Sequence, residues 1–353
     1  MPPQRAGPTG SSRRSGAVAE TAAAPPRTAR LGFLGVGWIG RQRMIAAHSA
    51  GAATVVGVAD LDGMAARTAA DDVGCDTVVA DLDALLALEL DGVVIATPTG
   101  LHARHVAAAL RAGIPVFAQK PLARTEEETR RLVGLARERD LRLGVDMSYR
   151  HLAATRAALD RLHAGAIGTV HAVELTFHNA YGPDKGWARD VALAGGGALL
   201  DLGCHLLDLA SLFLGRLDAV AVHADLFSGG RRLPPDPRVV EDLALAQLTL
   251  GGGEAVRLAC SWWLPMGADA VIELTFLGSR GALRIANVGG SFFDFEAVEI
   301  HGRSLERLVG PPDDWGPRAL LEWARALPHA PGFDPEVERL GDVAGVIDRI
   351  LGR

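Results

Sequence analysis

The stretch Leu31-Gly-Phe-Leu-Gly35-Val-Gly37-Trp-Ile-Gly40 decides the fold of this 353-residue chain. An apolar run of strand length leads directly into a G-x-G-x-x-G pattern that opens a helix. The first glycine permits a tight turn, the second lets a phosphate approach the backbone, and the third lets the helix pack on the strand. Because the helix N-terminus then faces the phosphates, the stretch predicts a dinucleotide site.

Strands and helices continue to alternate to residue 149. Apolar runs of strand length, bounded by Gly, Pro or Asp, cover residues 31–35, 54–60, 77–80, 92–97, 115–118 and 141–145. Helical patterns lie between them, most clearly at 102–112 and 125–139. This alternation predicts an α/β fold with a doubly wound parallel sheet over residues 30–149.

After residue 150 the pattern changes. Helices are predicted at 152–164 and 198–214, and longer strands at 170–178, 220–227, 243–250, 255–263, 270–277 and 282–286. Residues 150–353 are therefore predicted to form an α+β domain with a large, mostly antiparallel open sheet. Trp262 and Trp263 alternate across one strand, and an exposed apolar sheet face would favour a homodimer or homotetramer.

The first 29 residues have their own composition, rich in Pro, Ala, Gly, Ser and Arg, which predicts a disordered tail. Arg13-Arg14 resembles part of a twin-arginine export signal, but Glu20 interrupts the apolar core that such a signal needs. We therefore expect a cytoplasmic protein.

Composition excludes several classes of protein. A net charge of -6 argues against a nucleic-acid partner, and no uninterrupted apolar run is long enough to predict a membrane span. The three cysteines are far apart and form no C-x-x-C pair, so neither a disulfide framework nor a metal site is expected.

Asp60 indicates which dinucleotide is bound. It ends the second predicted strand, 20 residues after Gly40, where a carboxylate accepts hydrogen bonds from the adenosine ribose. Leu61 and Asp62 follow it and add no positive charge. A 2'-phosphate would be repelled there, so NAD is favoured over NADP.

Two further segments follow predicted strands. Thr97-Pro98-Thr99, with His102 after it, follows the fourth strand, and Gln119-Lys120-Pro121 follows the fifth. Ligands bind at the carboxyl ends of parallel strands. Taken singly, Thr99 could simply cap a helix and a lysine could be solvated, although Lys120 stands between a buried strand and a proline.

The third chemical signal is Gly195-Gly-Gly-Ala-Leu-Leu-Asp201-Leu-Gly-Cys-His205-Leu-Leu-Asp208. Positions 201, 205 and 208 share one face of a helix. A carboxylate one turn from an imidazole can orient it and raise its proton affinity, as a general base requires. A buried hydrogen-bonded pair remains an alternative, as does an incomplete metal site.

In this order and spacing, the glycine pattern, Thr97-Pro98 with His102, Lys120-Pro121 and Asp201-x-x-x-His205 resemble the glucose-fructose oxidoreductase/inositol dehydrogenase/rhizopine catabolism (Gfo/Idh/MocA) family of NAD(P)-dependent oxidoreductases. The resemblance covers residues 30–353. The residues then expected to bind the cofactor are Gly35, Gly37, Trp38, Ile39, Gly40, Asp60, Thr97, Pro98, Thr99, His102, Gln119 and Lys120.

The resemblance also implies roles for the remaining motif residues. Lys120 would hydrogen-bond the reacting oxygen, His205 would be the acid/base, and Asp201 would orient His205 or bind a neighbouring hydroxyl. The Lys120-Pro121 bond would be cis. Side chains that could line the substrate site, or could instead only pack or pair, are those of Tyr149, Arg150, Trp187 and Arg189.

The sequence departs from the family at two positions. Gln119 stands where Glu is usual, which puts in doubt a contact near the nicotinamide ribose, and Thr99 stands where Asn is common. A branch that reduces nucleotide-linked ketosugars carries Tyr in place of the motif histidine. His205 therefore favours the sugar and cyclitol dehydrogenases.

The expected function is hydride transfer between NAD and a secondary alcohol or ketone of a sugar, aminosugar or cyclitol. An NAD-dependent glycosidase of the same fold is the first alternative, and accumulation of free NADH would separate the two. The second alternative is a catalytically silent NAD-binding regulator, which the joint presence of Lys120, Asp201 and His205 disfavours.

Overall fold

The computed structural model describes residues 27–353. The tail expected at 1–29 lies outside the described residues except for its last three. Of these, Ala29 is fully buried as the first residue of a strand, so the folded chain begins one residue earlier than the sequence predicts.

The predicted doubly wound sheet is confirmed. It has six parallel strands in the order β3-β2-β1-β4-β5-β6. The strands are β1 Ala29–Leu34, β2 Ala53–Ala59, β3 Val78–Val79, β4 Gly92–Ile95, β5 Val116–Ala118 and β6 Leu143–Val145. The helices between them are α1 Trp38–Ser49, α2 Gly63–Asp72, α3 Leu82–Leu86, α4 Thr99–Arg111 and α5 Glu126–Glu138.

Local sequence explains where these helices begin. Asp62 caps α2 by accepting hydrogen bonds from the backbone N–H groups of Met64 and Ala65, and Thr125 caps α5 by accepting one from Glu128. The three glutamates of the first turn of α5 also suit the positive end of its dipole.

The second sheet is also as predicted, large and mostly antiparallel. It has nine strands in the order β15-β14-β13-β12-β7-β11-β10-β8-β9, with one parallel pair, β7 and β11. The strands are β7 Val170–Asn179, β8 Ala219–Ser228, β9 Arg231–Arg232, β10 Leu243–Leu250, β11 Ala255–Ser261, β12 Ala270–Gly278, β13 Ala282–Asn287, β14 Phe295–His301 and β15 Ser304–Val309. The last two lie beyond the predicted strands.

The next helices are α6 Ala153–His163, α7 Val191–Ala194 and α8 Cys204–Leu214. Helices α6 and α8 pack on the second sheet, whereas α7 packs on α4 of the first domain. The helix predicted from residue 198 is interrupted, because Leu199–Gly203 forms a π-helical turn that leads into α8. Residues Val191–Leu214 are long and apolar enough to cross a membrane by composition, but 83% of their most apolar window is buried inside the fold.

The end of the chain returns to the first sheet. Helix α9, Arg318–Ala326, shares a core with β1, β2 and α1, while α10, Arg339–Leu351, packs between α5 and α8. The indole of Trp323 covers Gly92 of β4 and Gly144 of β6, where a Cβ would come within 2.6 Å of the ring. These glycines make the space that the tryptophan fills.

Replacing Trp323 by Ala should therefore lower the free energy of unfolding by about 3 to 5 kcal/mol, the cost of emptying a large buried site. Urea denaturation measures it. Arg325→Ala, at an exposed position of the same helix, is the control and should stay within about 0.5 kcal/mol. Similar values for the two variants would contradict the packing described here.

Candidate active site

A cavity of about 1120 Å³ lies between the carboxyl ends of the parallel strands and the second domain. Its wall includes the glycine turn after β1, the end of β2, and the loops after β4, β5 and β6. From the second domain, residues 183–188 and the π-helical turn complete it. With residues 80–83 after β3, the ends of all six parallel strands and the segment that carries Asp201 thus meet at one cleft.

The glycine turn has the shape that a dinucleotide needs. Gly35 has a φ of +85°, and a Cβ there would lie 2.7 Å from the backbone of Ala96. A Cβ on Gly40 would come within 2.1 Å of the Gly35 carbonyl oxygen. Gly37 is different, because a Cβ on it would meet only Lys185 Nζ, at 3.6 Å, so its missing side chain leaves room on the cleft side. The structure therefore fits the separate glycine roles expected for pyrophosphate binding.

Asp60 supports this turn as well as facing the cleft. One carboxylate oxygen accepts a hydrogen bond from Val36 N at 2.7 Å, and the other accepts one from Asp62 N at 2.9 Å. Each oxygen keeps a lone pair for a ribose hydroxyl. Leu61, beside it, is 97% exposed and apolar.

The structure brings eleven of the twelve expected cofactor residues to the cleft wall, all but Gly40, which packs α1 on β1. His102 also lies in this wall, where its side chain contacts the backbone of two loops. It is buried, and its ring nitrogens lie 2.7 Å from the Thr97 carbonyl oxygen and 2.8 Å from that of Pro121. Because both nitrogens are engaged by the backbone, His102 joins two loops of the site and offers no polar atom to a cofactor.

Lys120 and Asp201 form an ion pair across the two domains. Lys120 Nζ donates to Asp201 Oδ1 at 2.6 Å and to the Asp201 carbonyl oxygen at 2.8 Å, and the Lys120-Pro121 bond is cis. Burial disfavours the charged form of both groups, but the attraction between the two opposite charges outweighs this effect. The pKa of Lys120 is therefore raised and that of Asp201 is lowered. The pair is charged at neutral pH.

The relation between Asp201 and His205 differs from the expected one. The second oxygen of Asp201 accepts a hydrogen bond from Trp262 Nε1 at 3.1 Å, and among the described residues no hydrogen bond joins either oxygen to the imidazole. Among residues 27–353, His205 Nδ1 has no hydrogen-bond partner. The π-helical turn explains the difference, because it changes the spacing on which the one-turn argument rests.

The pKa of His205 is lowered, not raised as expected. Burial and the nearby Lys120 cation bring it to about 3, and Asp201 opposes them only in part. The imidazole is therefore neutral throughout the physiological range. Its ring lies 4.7 Å from that of Tyr149, which itself packs on Trp315 at 4.9 Å. His205 is thus positioned by aromatic packing in place of a carboxylate.

The expected substrate residues divide into two groups. Tyr149 and Trp187 line the cleft. Arg150 does not, because its guanidinium binds both oxygens of the buried Asp208. Arg189 lies over the Trp263 ring, 5.2 Å from its centroid, and is also absent from the wall.

Several residues of the wall were not expected from the sequence. Trp262 binds Asp201, and Trp315 supports Tyr149, yet neither belongs to a motif. Lys185 could have been singled out from the sequence, because it is one of only two lysines. Both lysines face this cleft. Within residues 27–353, no three His, Cys, Asp or Glu side chains are arranged to hold a metal ion.

Comparisons with known proteins identify two oxidoreductases that are similar to this chain. The chain is 35% identical over 321 residues to dTDP-3,4-didehydro-2,6-dideoxy-alpha-D-glucose 3-reductase of Streptomyces violaceoruber, covering 86% of each. It is 30% identical over 264 residues to inositol 2-dehydrogenase of Rhizobium meliloti (strain 1021), covering 74% of this chain and 76% of that one. Both relatives are oxidoreductases.

Solved structures share the fold over nearly the whole chain. KijD10, a 3-ketoreductase from Actinomadura kijaniata in complex with NADP and TDP-benzene, superposes with a TM-score of 0.77 at 25% identity, covering 92% of this chain and 97% of that one. GenD2 from gentamicin A biosynthesis, in complex with NAD, matches with a TM-score of 0.75 over 91% of this chain and 92% of that one. At 23% identity, this second likeness concerns the fold alone.

The family comparison covers both domains. Residues 29–147 match the oxidoreductase family with an NAD-binding Rossmann fold, and residues 155–284 match the GFO/IDH/MocA C-terminal domain. With the glycine turn, Lys120 and His205 around one cleft, these matches show that the chain belongs to the Gfo/Idh/MocA family of oxidoreductases.

Proposed function

We propose that this enzyme transfers a hydride between NAD and a secondary alcohol or ketone of a sugar, aminosugar or cyclitol. The observation that carries the proposal is the meeting of Lys120, Asp201 and His205 in the cleft into which the glycine turn opens. The names of the relatives support a sugar or cyclitol substrate, since one is a reductase of a dTDP-linked ketosugar and another an inositol 2-dehydrogenase. The first acts on the nucleotide-linked class of ketosugar that His205 was expected to disfavour, so free and nucleotide-linked sugars both belong in the substrate panel.

The order of the strands indicates how the cofactor would lie. Asp60 after β2 would hold the adenosine ribose, and the glycine turn after β1 would hold the pyrophosphate. Thr97 and Gln119, after β4 and β5, would then border the nicotinamide half. When bound there, the nicotinamide supplies the hydride acceptor or donor.

Lys120 would stabilise negative charge on the reacting oxygen. An ammonium group has three N–H donors, and two of them bind Asp201. The third remains for a substrate oxygen. Because Asp201 keeps the group charged and fixed, Lys120 meets a developing alkoxide without reorganisation, the condition under which electrostatic stabilisation is most effective.

His205 would accept the hydroxyl proton during oxidation and return it during reduction. Its imidazole is neutral, and therefore able to accept, because the charge of Lys120 and burial lower its pKa. An alkoxide beside Lys120 would offset that charge. The proton affinity of His205 would thus rise as the substrate oxygen becomes negative. His205 would therefore accept the hydroxyl proton at the stage when the hydride leaves the neighbouring carbon.

The rest of the cleft suits a hydroxyl-rich ring. Tyr149, Trp187, Trp262 and Trp315 all border it, and aromatic faces pack on the C–H faces of sugars and cyclitols while leaving hydroxyls for polar partners. This wall lies beside His205 and Asp201, so a ring placed against it presents its edge to them.

Substitution of the central residues should separate chemistry from cofactor binding. His205→Ala and Lys120→Ala should each lower turnover by about 10² to 10⁴ in steady-state assays with NAD and a panel of sugars and cyclitols. The dissociation constant for NAD should change far less than turnover in both, since neither residue belongs to the glycine turn that would hold the pyrophosphate. Wild-type enzyme should accumulate free NADH, whereas an oxidation and re-reduction within one turnover would not. An unimpaired His205→Ala enzyme would remove the central residue of the proposal.

The protonation state of His205 gives a second prediction. In NMR titrations of histidine-labelled protein, its ring signal, assigned by its loss in His205→Gln, should not titrate between about pH 5 and 8, because its pKa is lowered to about 3. Lys120→Met removes a cation and releases Asp201, so the pKa should rise. Because the folded pKa lies below the unfolded one, this histidine lowers stability as pH falls through about 6.5 toward 3. A wild-type signal with an ordinary midpoint would contradict the assignment.

The choice of dinucleotide is the third prediction. Asp60 places a carboxylate where the 2'-phosphate of NADP would come, so calorimetry should show NAD binding at least about tenfold tighter than NADP. Asp60→Asn keeps an oxygen that can accept the hydrogen bond from Val36 N but removes the charge. It should therefore reduce the difference in affinity between NAD and NADP. Equal affinity for NAD and NADP in the wild-type enzyme would be evidence against this reading of Asp60.

A further inference from the structure

Asp146 is a buried carboxylate in the cleft wall to which neither the motifs nor the proposed mechanism gives a role. It directly follows β6, and the residue is only 2% exposed. Its Oδ2 accepts two hydrogen bonds, from Gln119 Nε2 at 2.7 Å and from Arg43 Nε at 2.7 Å. Its Oδ1 is buried and has no hydrogen-bond partner among residues 27–353.

An unpaired carboxylate oxygen in such a position needs a partner. Leaving a buried charged acceptor unsatisfied costs more than leaving a neutral one, and buried polar atoms without partners are uncommon in native proteins. Arg43 and Gln119 occupy the other oxygen, so the carboxylate is fixed in orientation. Since Asp146 borders the cleft, a bound ligand with a hydrogen-bond donor can supply the missing partner of Oδ1.

The topology of the sheet indicates which part of a dinucleotide would do so. The strand order puts β2 on one side of β1, and puts β4, β5 and β6 on the other. Asp60 after β2 and Asp146 after β6 therefore stand at opposite ends of the site. If Asp60 holds the adenosine ribose, Asp146 borders the half that carries the nicotinamide and its ribose, next to Gln119-Lys120.

We propose that Asp146 Oδ1 accepts a hydrogen bond from a hydroxyl of the nicotinamide-side ribose. This inference rests on the proposed function, because it takes the cofactor to be a nicotinamide dinucleotide in the orientation given above. It also accounts for Gln119. An amide there donates to Asp146, whereas a glutamate would place a second carboxylate within hydrogen-bond distance of the first. The family resemblance leads us to expect a glutamate carboxylate at position 119. In this chain the carboxylate is that of Asp146, and Gln119 donates a hydrogen bond to it.

Calorimetry with the full chain and three probes tests the contact. ADP contains the adenosine and pyrophosphate, ADP-ribose adds the second ribose, and NAD adds the nicotinamide. Asp146→Asn should weaken ADP-ribose and NAD by at least about tenfold, as expected when a hydrogen bond to a charged group is lost, and should leave ADP within about twofold. Glu138→Gln, which removes an exposed carboxylate at the end of α5 and outside the cleft wall, should leave all three affinities unchanged.

Other outcomes overturn the proposal in distinguishable ways. An equal loss for ADP would mean that the substitution damages the whole site, and a loss for NAD but not ADP-ribose would move the contact to the nicotinamide. Unchanged affinities would remove the contact altogether. A wild-type chain that binds none of the probes would instead contradict the proposed function.

A charge exchange supplies an independent check. The double variant Gln119→Glu/Asp146→Asn moves the carboxylate across the same hydrogen bond, and its affinity for ADP-ribose should recover to within about threefold of wild type. Circular dichroism and the melting temperature verify that both variants fold. A double variant that binds ADP-ribose no better than Asp146→Asn would contradict the exchange of roles between the two positions.

Discussion

The ion pair between Lys120 and Asp201 is the interaction on which the site depends. It joins the carboxyl end of β5 to the π-helical turn, and therefore the first domain to the second. It keeps Lys120 charged despite burial, and that charge adds to burial, the larger cause of the lowered pKa of His205. One contact thus fixes the position of the cation, joins the two domains at the cleft and favours the neutral imidazole.

The position of Asp201 depends on a buried carboxylate, that of Glu241. Glu241 is fully buried and accepts hydrogen bonds from the N–H groups of Gly197 and Leu199, at 2.9 and 2.8 Å. It thereby satisfies the N-terminal end of the π-helical turn. A Cβ on Gly197 would lie 1.9 Å from the Glu241 carbonyl oxygen, so glycine is required for this approach. At least one glycine of the run before Asp201 is therefore needed so that the π-helical turn can pack against Glu241.

The sequence predicts the parts of the fold that rest on local patterns. The glycine turn and the twelve predicted strands depend on nearby residues, and the strand bounds differ from those observed by two residues or fewer. The return of α9 to the first sheet is different, because Trp323 recognises Gly92 and Gly144 only after folding. No spacing along the chain records that contact.

The same distinction applies to the site. Lys120, Asp201 and His205 could be singled out because each lies in a motif, and the structure brings all three to one cleft. Their connections could not be predicted. The one-turn argument for Asp201 and His205 assumes a regular α-helix, and the π-helical turn changes that spacing. Trp262 and Trp315 reach the site from strand and loop ends whose positions depend on the second sheet.

The use of lysine in this chain adds a last argument about the cleft. Arginine supplies nearly all of its 36 basic side chains, yet the two lysines, Lys120 and Lys185, both face the same cavity. A guanidinium is planar and would present a fork to Asp201, whereas an ammonium can give two donors to that residue and keep a third for a substrate oxygen. At position 120, therefore, arginine would keep the charge but not the geometry. Where composition otherwise favours arginine so strongly, a lysine marks a place at which a compact cation is required.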